Sequence, residues 1–84
     1  MTRAGIFDEI NAERDRQERI LNGRTCANPD VGDFERVAVL TEEVGEVARA
    51  ILDCDLAQTR LELVQVAAVA VAWLELPSLQ RAAT

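Results

Sequence analysis

Apolar residues recur at steps of three and four along much of this chain, the repeat of an α-helix packed along one stripe. The pattern is clearest from Phe34 to Leu52, where Val37, Leu40, Val44, Val47 and Ile51 share one stripe. A second helix is therefore predicted over Phe34–Leu52, with Asp33 as its N-cap. A third is predicted over Ala57–Leu76 and stopped by Pro77. From Leu63 to Leu74 every residue but Gln65 is apolar, so this helix is expected to be buried on all sides. The first helix, Ala4–Leu21, is weaker. Ile6, Phe7, Ile10, Ile20 and Leu21 are apolar, but Asn11–Arg19 is polar, with opposite charges at helical spacing. That stretch reads either as a solvated helix middle or as one in which some of Arg14, Arg16, Gln17 and Arg19 face a site.

Between the helices, Asn22–Asp33 holds Asn22-Gly23 and Asn28-Pro29-Asp30, both turn signals. Asp53-Cys54-Asp55 makes a short turn, and the residues from Ser78 read as a frayed tail. Gly45 interrupts the second helix, where glycine costs about 1 kcal/mol relative to alanine. The expectation is that another element approaches the backbone there. Trp73, Phe34 and Phe7 read as core.

Eighty-four residues form a single domain, 1–84. So short a chain buries a modest share of its surface, yet 49% of it is hydrophobic. Helix faces shared between copies reconcile the two, so the fold class is all-α, a three-helix protomer completing a helical bundle by homo-oligomerisation. The net charge is −6, with nine arginines and no lysine. It speaks against nucleic acid and against an anionic membrane surface. The start, MTRAGIFDEI, lacks the apolar stretch of a signal peptide. The longest strictly apolar run, Val66–Leu74, has nine residues, against roughly 20 for a membrane span. Cys26 and Cys54 then read as free thiols in a reducing cytoplasm, and with no histidine a zinc site is not expected.

The second and third helices carry acids within their apolar pattern. Glu43 lies roughly 70° and Glu46 roughly 130° from the stripe centre, at about 100° per residue. The two are a turn apart, with Glu42 beside them. Glu62 and Gln65 repeat the i, i+3 spacing on the third helix. If the helices pack antiparallel, the pairs face each other. Clustered carboxylates disfavour one another's ionisation, and a hard cation relieves them. Mg²⁺ takes oxygen ligands and keeps waters and substrate phosphates. The ordinary alternative is an ion pair of Glu43 or Glu46 with Arg36 or Arg49.

Leu40-Thr-Glu-Glu-Val-Gly-Glu-Val-Ala-Arg-Ala-Ile51, followed by Leu61-Glu-Leu-Val-Gln-Val through Glu75, resembles the MazG-like family of all-α nucleoside triphosphate pyrophosphatases. The family pattern is E-E-x-x-E, a dozen or more residues, then E-x-x-D. Here Glu42, Glu43 and Glu46 are followed by fifteen residues and Glu62. The upstream Glu13–Arg19 is similar to the first helix of short and phage-type members. The resemblance implies Glu43, Glu46, Glu62 and Gln65 as metal ligands and Glu42 with Glu43 as catalytic residues. It implies Arg16, Gln17 and Arg24 as substrate-binding residues, and Mg²⁺ as cofactor with Mn²⁺ as a substitute. A nucleoside triphosphate is the implied substrate, and a homodimer or homotetramer the implied assembly. The expected activity is release of nucleoside monophosphate and pyrophosphate in nucleotide-pool house-cleaning. Gln65 stands where the pattern has aspartate, and the family's first-helix tryptophan and lysine are missing. The alternatives are a catalytically impaired nucleotide- or metal-binding relative and a purely structural helical interaction module.

Overall fold

The computed structural model describes residues 1–83. These form helices α1 (Arg3–Ile20), α2 (Asp33–Leu52), α3 (Leu56–Leu74) and a short α4 (Pro77–Ala82). Among the described residues there is no strand, and no helix is long and apolar enough to cross a membrane. Helix α3 lies in the middle, packed against both α1 and α2.

Each helix end has a local cause. Thr2 caps α1 by accepting from the Gly5 backbone N–H at 3.1 Å. At its C-terminus Asn22 takes a left-handed φ of 52°. The Gly23 N–H then reaches the Glu18 carbonyl at 3.0 Å and the Asn22 N–H reaches the Arg19 carbonyl at 3.2 Å, the 6→1 and 5→2 pair of a Schellman ending. Helix α2 ends in the same way, with Cys54 at φ 54° and the Asp55 N–H bonded to the Ala50 carbonyl at 3.0 Å. Asp55 then caps α3 by accepting from the Gln58 N–H at 2.9 Å. So short a turn reverses the chain, and α2 and α3 form an antiparallel hairpin.

Several expectations are corrected. The residue at the N-cap of α2 is Gly32, not Asp33. Asp33 is the first helical residue, and its carboxylate accepts from Arg36 Nη1 at 2.7 Å. Helix α3 ends at Leu74, and Pro77 starts α4 at the position where a missing N–H costs nothing, so the expected tail is helical over Pro77–Ala82, while Thr84 lies outside the described residues. Phe34 (93% exposed) and Phe7 (57%) are not core. Nothing of the chain lies within 4 Å of a Cβ built at Gly45, so no element of the same chain approaches it. Leu63 and Leu74 of α3 are exposed, because two neighbours cannot surround a helix.

The core is small. Cys26, Val69 and Ala72 are buried together, with Val39, Leu40 and Trp73 packed against them. Trp73 therefore packs as expected. Buried Arg36 ties the Asn22–Gly32 loop to α2, donating to the carbonyls of Cys26 at 3.0 Å and Asn28 at 2.8 Å. The loop thereby becomes one wall of the cavity described below.

Candidate metal centre

The antiparallel hairpin brings the two half-motifs together. Glu43 and Glu46 from α2 and Glu62 from α3 each offer one carboxylate oxygen, and these oxygens lie within 4.8 Å of one another. Oxygens on opposite sides of a Mg²⁺ ion stand about 4.2 Å apart, so little movement would close the cluster around a cation. Glu62 is only 7% exposed. Gln58, one turn earlier, donates to Glu62 Oε1 at 2.6 Å and so turns Oε2 toward α2. Glu62 Oε2 and Glu43 Oε2 are buried without a hydrogen-bond partner. Buried polar atoms are rarely left so, and these two are acceptors aimed at a shared space. The donor set is all oxygen, which suits a hard cation and not a soft one.

Electrostatics agree with the geometry. Burial, then the charges of Glu46 and Glu62, push the Glu43 carboxyl up to about 7. The close approach of the Glu62 carboxylate, with a smaller cost of lost solvation, holds Glu46 above the usual carboxylate range. No arginine forms an ion pair with them, although Arg16 is near enough to feel the charge of Glu43. Arg36 is spent on the loop carbonyls and Asp33, and Arg49 lies 3.4 Å from Asp53. The ordinary ion-pair alternative for Glu43 and Glu46 is therefore not what the chain forms.

Beside the cluster, between α1 and α2 and floored by α3, lies a cavity of about 470 Å³. Its base is apolar, with Ile20, Leu21, Cys26, Val31, Val39, Val69 and Ala72. Its rim carries Glu13, Arg16, Gln17, Arg24, Glu35, Glu42, Glu43 and Gln65. Glu43 belongs to both the cluster and the cavity. Each expected site residue thus falls in one region, with distinctions. Glu42 is exposed on the rim, outside the three-oxygen cluster. Gln65 is half-buried in the wall, and its backbone carbonyl accepts from Gln17 Nε2 at 3.4 Å. Arg16 is held by Glu13 at 2.8 Å. Arg24 forms an exposed pair with Glu35 at 3.0 Å. Of the other first-helix candidates, Arg14 turns away toward Glu18 and Glu75, and Arg19 lies on a separate α1–α3 groove.

Four contributors were not singled out in the sequence. Gln58 orients Glu62, and its i, i+4 spacing was the available signal. Glu13 is buried and fixes both Arg16 and Gln17. Cys26 and Val31 come from the loop, whose position no periodicity encodes. The chain matches no protein-family model, no curated protein and no solved structure.

Proposed function

We propose that this protein is a Mg²⁺-dependent nucleoside triphosphate pyrophosphohydrolase of MazG-like character. One observation carries the reading: buried carboxylate oxygens of Glu43 and Glu62 converge with Glu46, without an ion-pair partner, beside a cavity with an apolar base. A bound divalent cation would supply charge neutralisation for phosphates and a polarised water. Glu43, Glu46 and Glu62 are the residues to hold it, with Gln65 adjacent as a neutral amide oxygen. Glu42 on the rim is placed to accept a proton from water. Arg16 and Arg24 offer guanidinium groups to phosphate oxygens once drawn from Glu13 and Glu35, and Gln17 a neutral amide donor. The apolar base of the cavity suits the flat face of a nucleobase. Mn²⁺ can take the place of Mg²⁺ in the same oxygen set.

Self-association into a homodimer or homotetramer belongs to this reading, because one chain leaves large apolar side chains of α2 and α3 in water. So does a cytoplasmic setting, which Cys26 and Cys54 as free thiols suit. Pyrophosphate release is to be measured with Mg²⁺ and a panel of normal and modified nucleoside triphosphates. Release that is lost in Glu43→Gln supports the enzyme. No release from any of them, with wild type and Glu43→Gln alike, sinks it. Gln65 favours one second reading, a metal- and nucleotide-binding protein without turnover. In that case nucleotide raises the melting temperature only when Mg²⁺ is present, and Gln65→Asp restores some hydrolysis.

A further inference from the structure

The polar side chains around the cavity are of two kinds, those already engaged and those with hydrogen-bonding capacity left. Both arginines are engaged, Arg16 with Glu13 and Arg24 with Glu35. Thr25 gives its hydroxyl hydrogen to Glu18 Oε2 at 3.1 Å. What remains is chiefly acceptor: the carboxylates of Glu42 and Glu43, and the side-chain oxygen of Gln17. Gln65 does not tilt this balance. Its side-chain amide makes no hydrogen bond within the chain, so it can present either end.

Gln17 cannot present either end. It lies in the cavity wall and is only 8% exposed. Its Nε2 donates to Glu13 Oε2 at 3.1 Å and, at a longer 3.4 Å, to the backbone carbonyl of Gln65. A carboxylate and a carbonyl only accept, so both partners require the NH₂ end of the amide. Glu13 is itself fixed, buried and held by Arg16 at 2.8 and 2.9 Å. Those bonds also keep its carboxyl below the usual range, so it remains an acceptor at neutral pH. The Gln17 oxygen is therefore turned away from both partners, and it accepts nothing from the described chain. Unlike Glu43 Oε2 and Glu62 Oε2 it is not sealed in, and the open space against Gln17 is the cavity. Buried acceptors are rarely left without a donor, so a ligand in the cavity is the group to supply one.

We infer that Gln17 reads the edge of the base, and that the cavity selects bases bearing an exocyclic amino group, cytosine or adenine, over their oxo counterparts, uracil and hypoxanthine. An amino group is a donor and gives an N–H to Gln17 Oε1. An oxo group in the same place is an acceptor, and it sets its lone pairs against an oxygen that cannot turn away. Glu13 is the positioning residue, since it holds the amide of Gln17 in the one orientation that makes this choice. The inference rests on the nucleotide reading of the cavity but not on turnover.

The test is calorimetric titration of the full chain with the monophosphates of cytidine, uridine, adenosine and inosine. These hold no phosphoanhydride to cleave, so a chain that binds without hydrolysing still answers. In wild type at least one amino ligand is expected to bind about tenfold or more tightly than its oxo counterpart. In Gln17→Leu the two should bind alike, because the acceptor is gone. In Glu13→Gln the preference should fall about threefold or more, because a carboxamide donates as well as accepts and lets Gln17 turn over. The ratio compares two ligands on one protein, so a general loss of affinity cancels, and circular dichroism checks helicity. Should Gln17→Leu fail to fold, Glu13→Gln carries the test. Wild type that binds both members of each pair equally, or binds none of the four, overturns the inference, while pyrophosphate release decides the hydrolase separately. A preference that survives in Gln17→Leu overturns the role of Gln17, and one unchanged in Glu13→Gln overturns that of Glu13.

Discussion

Helix α3 meets its two neighbours through opposite electrostatics. Toward α1 the acids are paired. Arg14 reaches Glu75 at 2.7 Å and also Glu18, Arg60 holds Glu9, and Arg16 holds Glu13. The arginines keep the carboxyls of Glu9, Glu13 and Glu18 below the usual range. Toward α2, Glu43, Glu46 and Glu62 form no ion pair, and Glu43 and Glu46 are held above that range. The residue type is the same and the helix is shared. What differs is the counter-charge, which the chain supplies at one seam and withholds at the other. Ion pairing explains the first seam as structure. The second seam has no such pairing, and on the proposed function a cation would take that place.

The strongest way to break this contrast is Glu43→Gln. On the proposed function it is expected to lower pyrophosphate release at least about a hundredfold, since a proposed metal ligand is lost, while the metal-free protein at pH 8 melts no lower than wild type. A loss of stability like that of a paired acid would refute the contrast. Next is Arg14→Met on the paired side, which leaves Glu18 and Glu75 without their cation. It should cost about 2 kcal/mol, a drop of roughly 10 °C in thermal melting, with Mg²⁺ binding unchanged.

The third prediction concerns pH. Glu43 titrates near 7 in the folded chain against 4.5 for an unperturbed glutamate. The folded state thus binds more protons than the unfolded one between these values, and stability falls as pH rises through them. With a discount for partial exposure and solvent screening, about 1–2 kcal/mol should be lost between pH 5 and 8 in the absence of divalent cation. On the proposed function Mg²⁺ would bind the ionised form, so it should flatten that loss. Denaturant unfolding at both pH values, with and without Mg²⁺, reads the effect. A stability that rises over this range contradicts it.

Gln65→Asp sharpens the contrast by adding one more uncompensated acid. Mg²⁺ affinity by calorimetry should rise about tenfold, or about 1.4 kcal/mol, while the metal-free protein becomes less stable at pH 8. The smallest effect belongs to Glu9→Gln, in a solvent-exposed pair with Arg60. No change in melting temperature should be resolved, because exposed pairs contribute little.

The order of the first three helices, their bounds to within two residues and the acids Glu43, Glu46 and Glu62 were legible in the sequence, whereas α4 was not. Apolar period, turn residues and Pro77 are local signals, and an i, i+3 pair marks one helix face whatever lies opposite. The side of α2 that turns inward was not legible. The apolar stripe centred near Val44 suggested one face, but Arg36, Val39, Glu43 and Ala50 point toward α3 and the loop, while Val37, Val44 and Ile51 stay in water. A helix bearing apolar residues over more than half its circumference does not encode which part meets its own chain. Only the hairpin, set by Cys54 and Asp55, and the loop held by Arg36 decide that. The sequence by itself therefore determined which acids share a helix face. The tertiary structure alone decided that their oxygens converge without an ion pair, because Arg36 and Arg49 on the same helix are drawn to loop carbonyls and to Asp33 and Asp53.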